Sequence, residues 1–144
     1  MVLSYNKIKF IPEKTFLGLL SLLYLDLSFN QINSLTKFSF EGLGNVRELN
    51  LEGNQLTFLE QNAFYGLTSL EYLNLTKLQI MQVSAGAFYG MPSIKHLTLR
   101  GNHFKKFVFD DIFESMSDLE LLDLRESQDI IIRLYSLQML TNLV

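Results

Sequence analysis

One spacing governs this chain: residues of the same type return every 24 positions from end to end. The cleanest copy, Val46 to Ser69, reads VRELNLEGNQLTFLEQNAFYGLTS. Its apolar residues fall at module positions 1, 4, 6, 11, 14, 19 and 22, with asparagine at 9 and glycine at 21. Coincidence rarely returns one residue type at a fixed step in several columns at once, so the period marks a stack of like structural units.

Each column dictates a local structure. Position 4 reads Met1, Leu25, Leu49, Leu73, Leu97 and Leu122, and position 6 reads Leu3, Leu27, Leu51, Leu75, Leu99 and Leu124. Alternation of this kind over three residues predicts a short strand with one buried face. Equal spacing stacks such strands in parallel, and the rest of each module supplies the return path that parallel neighbours need. Position 19 carries Phe16, Phe40, Phe64 and Phe88, then slips one place to Phe113 because the module from Ile94 to Asp118 holds one extra residue. These rings predict a spine behind the sheet, each worth roughly 1.5–3 kcal/mol when buried. Gly18, Gly42, Gly66 and Gly90 suit the sharp turn back toward the next strand. In the last module Asp129 interrupts the apolar column, the run Ile130, Ile131, Ile132 compensates, and Leu137 takes the phenylalanine position.

Asn6, Asn30, Asn54 and Asn102 occupy position 9, where the chain leaves the strand. An amide carries two donors and an acceptor, so an asparagine ladder here satisfies backbone groups that the sheet leaves unpaired. An orphaned group would cost roughly 1–3 kcal/mol. Leu78 and Ser127 break the column and predict differently bonded turns.

Length and composition close off several function classes. The 144 residues suffice for one domain with a sizeable core. A net charge of -3, evenly spread, gives no electrostatic signature for nucleic acid or anionic lipid. The absence of cysteine removes disulfides and thiolate metal sites. No apolar run is long enough to span a bilayer, and MVLSYNKIKF has no signal-peptide pattern, so any signal or membrane anchor is expected outside this sequence. Both ends fall inside a module and no polar capping repeat is visible. Residues 1–144 are therefore expected to be one array, an internal piece of a longer one.

The columns, written LxxLxLxxNxLxxLxxxxFxGLxx, resemble the leucine-rich repeat family, in its typical 24-residue extracellular subclass. LDLSFNQINSL, NAFYGLTSLEYLNL and LQMLTNLV look most like the ectodomain of a Toll-like receptor. The resemblance implies an α/β solenoid, a horseshoe with a parallel concave β-sheet and a largely irregular convex side. It also implies a non-enzymatic role in innate immunity, outside the cell or at its surface, with a protein or microbial ligand and a possible receptor dimer as partners. Adhesion and matrix proteins share similar phrases, and a scaffold attached to an enzyme elsewhere would look the same.

In that family geometry, positions 3, 5, 7 and 8 point off the core onto the concave face. Ligand-binding candidates there are Tyr24, Asp26, Phe29, Glu48, Glu52, Tyr72, Lys77, His96 and Arg100, with Ser28 in the same set. Acidic side chains, Asp26, Glu48, Glu52 and Glu71, gather toward one end, and Lys77, Lys95 and Arg100 toward the middle. Asn74-Leu75-Thr76 is the only N-x-S/T sequon, so a glycan at Asn74 is an expectation tied to secretion. His96 and His103 lack the partners of a zinc site, Asp110-Asp111 reads as a solvated loop, and no nucleophile has a visible base and acid beside it. No cofactor or catalytic residue is expected.

Overall fold

The computed structural model describes residues 1–105, 107, 108, 113, 115–128, 130, 131, 138 and 140–144, with only the backbone of 107 and 108. Five three-residue strands form one parallel sheet: β1 (Tyr24–Asp26), β2 (Glu48–Asn50), β4 (Tyr72–Asn74), β6 (His96–Thr98) and β8 (Leu121–Asp123), in that order. Register follows the repeat, with Tyr24, Glu48, Tyr72, His96 and Leu121 side by side. The last step is one residue longer, yet Leu97 still faces Leu122. The extra residue is absorbed in the return segment because a one-residue slip at β8 would turn Leu122 and Leu124 outward and Asp123 inward.

Leu25, Leu49, Leu73 and Leu97 are buried while Tyr24, Glu48 and Tyr72 beside them are exposed, the alternation that a half-buried strand requires. Behind the sheet the phenylalanine rings stack nearly parallel. Phe40 to Phe64, Phe64 to Phe88 and Phe88 to Phe113 are 6.1, 5.7 and 6.3 Å apart, the last pair spanning the slipped module. Such pairs add about 0.5–1.5 kcal/mol beyond the area they bury. Gly42 shows why the turn after the ring needs glycine. Its φ is +94°, and a Cβ there would fall 2.9 Å from the carbonyl oxygen of Phe16.

The asparagines knit successive turns together. Asn54 Nδ2 donates to the carbonyls of Leu51 (2.7 Å) and Leu27 (3.0 Å), and its Oδ1 accepts from Ile32 N (2.9 Å). Asn30 and Asn102 are likewise buried and bond to their own and the preceding turn. Asn6 is exposed and makes the same bonds within its own turn that Asn30 makes, to Leu3 O and Ser4 O.

The two exceptions to the column do change their turns. An aliphatic side chain at 78 offers no acceptor, so Leu56 N lacks the bond that Ile8 N and Ile32 N receive from Asn30 and Asn54. Leu78 N instead turns to Asn102 Oδ1 (3.2 Å), and Gln79 takes a left-handed φ of +68°. Ser127 covers part of an asparagine's work: its Oγ donates to Leu99 O (3.0 Å) and accepts from Asn102 N (3.3 Å).

The return side is largely irregular, with two short parallel pairs that the repeat pattern did not announce. These are β3 (Phe58–Leu59) with β5 (Gln82–Val83), and β7 (Phe107–Val108) with β9 (Ile130–Ile131). Asp110, Asp111, Asp129, Ile132 and Leu137 lie outside the described residues.

Candidate functional site

The concave face is built from columns that the register brings into line. Position 3 places Tyr24, Glu48, Tyr72, His96 and Leu121 across the sheet, and they line a depression with Asn50, Asn74 and Thr98, floored by Leu49 and Leu73. Tyr72 and His96 meet edge to face at 4.7 Å, and His96 Nε2 lies 3.7 Å from Glu120 Oε2. Glu48 forms no ion pair among the described residues. Partial burial and the nearby charges of Asp26 and Glu48 push the pKa of the Tyr24 hydroxyl above its usual value.

Position 5 has a structural duty that the sequence reading missed. Asp26, Asn50, Asn74 and Asp123 each accept, through Oδ1, the N–H of the residue two places on: Ser28 (2.9 Å), Glu52 (3.1 Å), Thr76 (3.0 Å) and Arg125 (3.0 Å). These Asx turns bend the chain off β1, β2, β4 and β8, while β6 ends in Thr98. The signal was present as a column of short acceptors at 24- and 49-residue steps. Asn74 is thereby engaged on both atoms, since its Nδ2 donates to Glu52 Oε2 at 3.3 Å.

Ser28 corrects the expected face. It is buried, not displayed, because its hydroxyl folds back onto Asp26 Oδ1 at 2.7 Å. Partial burial would raise the Asp26 pKa, but the two bonds from Ser28, with a further one from the Ser4 side chain and the charge of the N-terminus, hold it below the ordinary carboxylate value.

Position 8 takes a left-handed backbone in turn after turn: Tyr5, Phe29, Gly53, Lys77, Gly101 and Glu126 all have positive φ. Large side chains lie across the glycine of the following turn. Phe29 covers Gly53, Lys77 covers Gly101, and Tyr5 stacks on Phe29 with ring centres 4.7 Å apart.

The expected run of free charge along the face is also revised. Glu71 and Lys95 stand at position 2, ahead of the strands, and pair on the flank at 3.3 Å, with Arg47 joining Glu71 at 3.5 Å. Arg100 pairs with Glu126, and Arg125 grips Asp123 through Nε (2.9 Å) and Nη2 (2.7 Å). Each arginine lowers its partner's pKa, and each carboxylate raises that of its arginine. Arg100 and Arg125 are thus neutralised internally, while Lys77 and Glu48 have no ion pair among the described residues.

A second polar ladder, also missed, runs along the strand entrance. Asn45, Thr68, Ser93 and Asn142 donate to the carbonyls of Leu20, Gly44, Thr68 and Ser117 one turn earlier.

The leucine rich repeat family profile matches residues 1–56 and 45–104. No curated protein sequence matches the chain significantly. Among solved structures, the TLR13–ssRNA13 complex superposes with a TM-score of 0.87 at 31% identity, covering 96% of this chain and 20% of that one. The glycosylated Drosophila Toll–Spatzle complex gives 0.78 at 27% identity, covering 88% of this chain and 18% of that one. The chain therefore spans about a fifth of the length of each neighbour. The stacked parallel sheet, the repeat columns and these matches agree: the chain belongs to the leucine-rich repeat family and is Toll-like-receptor-like within it.

Proposed function

We propose that the chain is a ligand-recognition part of an innate-immune Toll-like receptor ectodomain, non-enzymatic and facing the outside of the cell or a compartment continuous with it. The observation that carries this reading is the depression formed by Tyr24, Glu48, Tyr72 and His96, side chains that a rigid register holds together on one exposed face. Aromatic residues on a preorganised surface are the anchors on which binding energy concentrates. Likeness to TLR13 and Toll supports the assignment.

The two neighbours differ in what they hold, ssRNA13 in one and Spatzle in the other. In this chain Arg100 and Arg125 are already paired, and Lys77 remains as an exposed cation farther along the face. Around the depression Glu48 has no ion pair among the described residues, so the depression itself favours a basic protein group over a polyanion. A glycan at Asn74 would stand in the middle of this face. Its Oδ1 serves the Asx turn and one Nδ2 hydrogen serves Glu52, which leaves the second Nδ2 hydrogen as the place where a glycan would attach.

The test is a reporter-cell assay with the full-length receptor and a microbial fraction that activates it. Tyr72→Ala and His96→Ala should abolish the response at unchanged surface abundance, and Glu13→Gln, exposed on the return side, should not. An undiminished response in both concave variants would contradict the reading.

A further inference from the structure

The depression also specifies the chemistry of what fills it. Tyr24, Glu48 and Tyr72 lie on three neighbouring strands in direct register. Strands in a sheet are about 4.8 Å apart, so the two tyrosines rise about 10 Å from each other with the carboxylate between them. Glu48 stands in that interval, so a group seated there lies over its carboxylate, flanked by the two phenol side chains. Asp26 and Glu52 stand on the same side of the face, half-buried, and His96 closes the slot beyond Tyr72. The slot thus combines an unpaired carboxylate, two exposed aromatic rings and further negative charge, with Asn50 and Asn74 at its base.

We propose that this slot seats a lysine ammonium or an arginine guanidinium carried by a basic segment of a protein partner, over Glu48 and between the rings of Tyr24 and Tyr72. The inference rests on the concave face being the recognition surface and adds the chemical class of the partner. A cation beside a carboxylate gains a charge-assisted hydrogen bond, and tyrosine faces within about 6 Å add cation–π attraction. Arg47 is drawn to Glu71 on the flank, while Arg100 and Arg125 are held by Glu126 and Asp123, so none of these cations fills the slot from within. A phosphate seated in the slot would face the Glu48 carboxylate, and like charges at that range repel.

Binding of a fluorescent oligolysine peptide and of a single-stranded oligouridylate to the purified protein separates the possibilities. The slot predicts that oligolysine binds, that Glu48→Gln weakens it about tenfold, and that Tyr24→Leu and Tyr72→Leu weaken it about threefold each. Glu13→Gln removes the same charge from the return side and should leave the affinity unchanged. An unaltered melting transition verifies that each variant is folded. Equal losses in Glu48→Gln and Glu13→Gln would reduce the effect to overall charge and overturn the inference, as would no binding of oligolysine. Tighter binding of oligouridylate, weakened by Tyr72→Leu, would overturn the cation slot yet leave the face a recognition surface. Binding of either probe that no concave substitution alters would remove both.

Discussion

The ring of Phe29 occupies the space where a side chain at Gly53 would begin: a Cβ on Gly53 would lie 2.7 Å from Phe29 Cδ1. Gly53 also has a φ of +69°, a conformation that costs an L-residue about 1–2 kcal/mol. Gly53→Ala should therefore lower stability by at least about 1 kcal/mol and displace Phe29. Gly44→Ala is the control, since Gly44 has no left-handed φ and its nearest neighbour would be Thr68 Oγ1 at 3.5 Å. Denaturant unfolding of both variants checks this, and equal losses would count against the interlocked edge.

Asn54 and Glu52 are two residues apart but belong to opposite sides of the coil. Replacing Asn54 with alanine strands Ile32 N and the carbonyls of Leu27 and Leu51 inside the structure, at a cost of about 1–3 kcal/mol. Glu52→Ala loses only the 3.3 Å bond from Asn74 and should cost no more than about 0.5 kcal/mol. The midpoints of urea unfolding curves read the difference directly.

Phe64 is sandwiched between Phe40 and Phe88, whereas Phe58 on the return side is 44% exposed. Phe64→Ala should destabilise by about 3–5 kcal/mol through lost burial and the cavity left behind. Phe58→Ala should cost much less. A thermal scan that ranked them the other way would contradict the ring spine.

The depressed pKa values of Asp26 and Asp123 set the sign of the acid response. A carboxylate whose folded pKa lies below its unfolded value stabilises the fold above the unfolded pKa, and that contribution is lost as pH falls through the folded one. Melting temperature should fall as pH drops from about 5 to about 2. Asp26→Asn keeps the Oδ1 acceptor, as Asn50 does, and should show a shallower fall. An unchanged slope would mean that Asp26 gains nothing from Ser28.

The sequence made the coil legible because its signals are periodic and local. Leu49 must be buried if the strand alternates, and Phe64 must follow it at a fixed distance. The one-residue slip before Phe113 was readable for the same reason. What escaped depends on neighbours that no single module encodes. Position 7 faces outward by alternation, yet the Ser28 hydroxyl turns in to Asp26, a neighbour that the repeat does not specify. Glu71 and Lys95 are 24 residues apart, one turn of the coil, and their pairing depends on side-chain reach from the flank. The candidate slot was legible as a set of exposed positions, but not as one unpaired carboxylate between two tyrosines.

Hydroxyl-radical footprinting of the native protein, read residue by residue against the urea-unfolded chain, tests most directly whether the 24-residue coil sorts side chains as described. The account predicts strong modification of Tyr24, Tyr72 and Phe58, with Leu49, Leu73, Phe64 and Phe88 protected to a small fraction of their unfolded rates. Modification of Leu49 and Leu73 at their unfolded-chain rates in the native protein would contradict it.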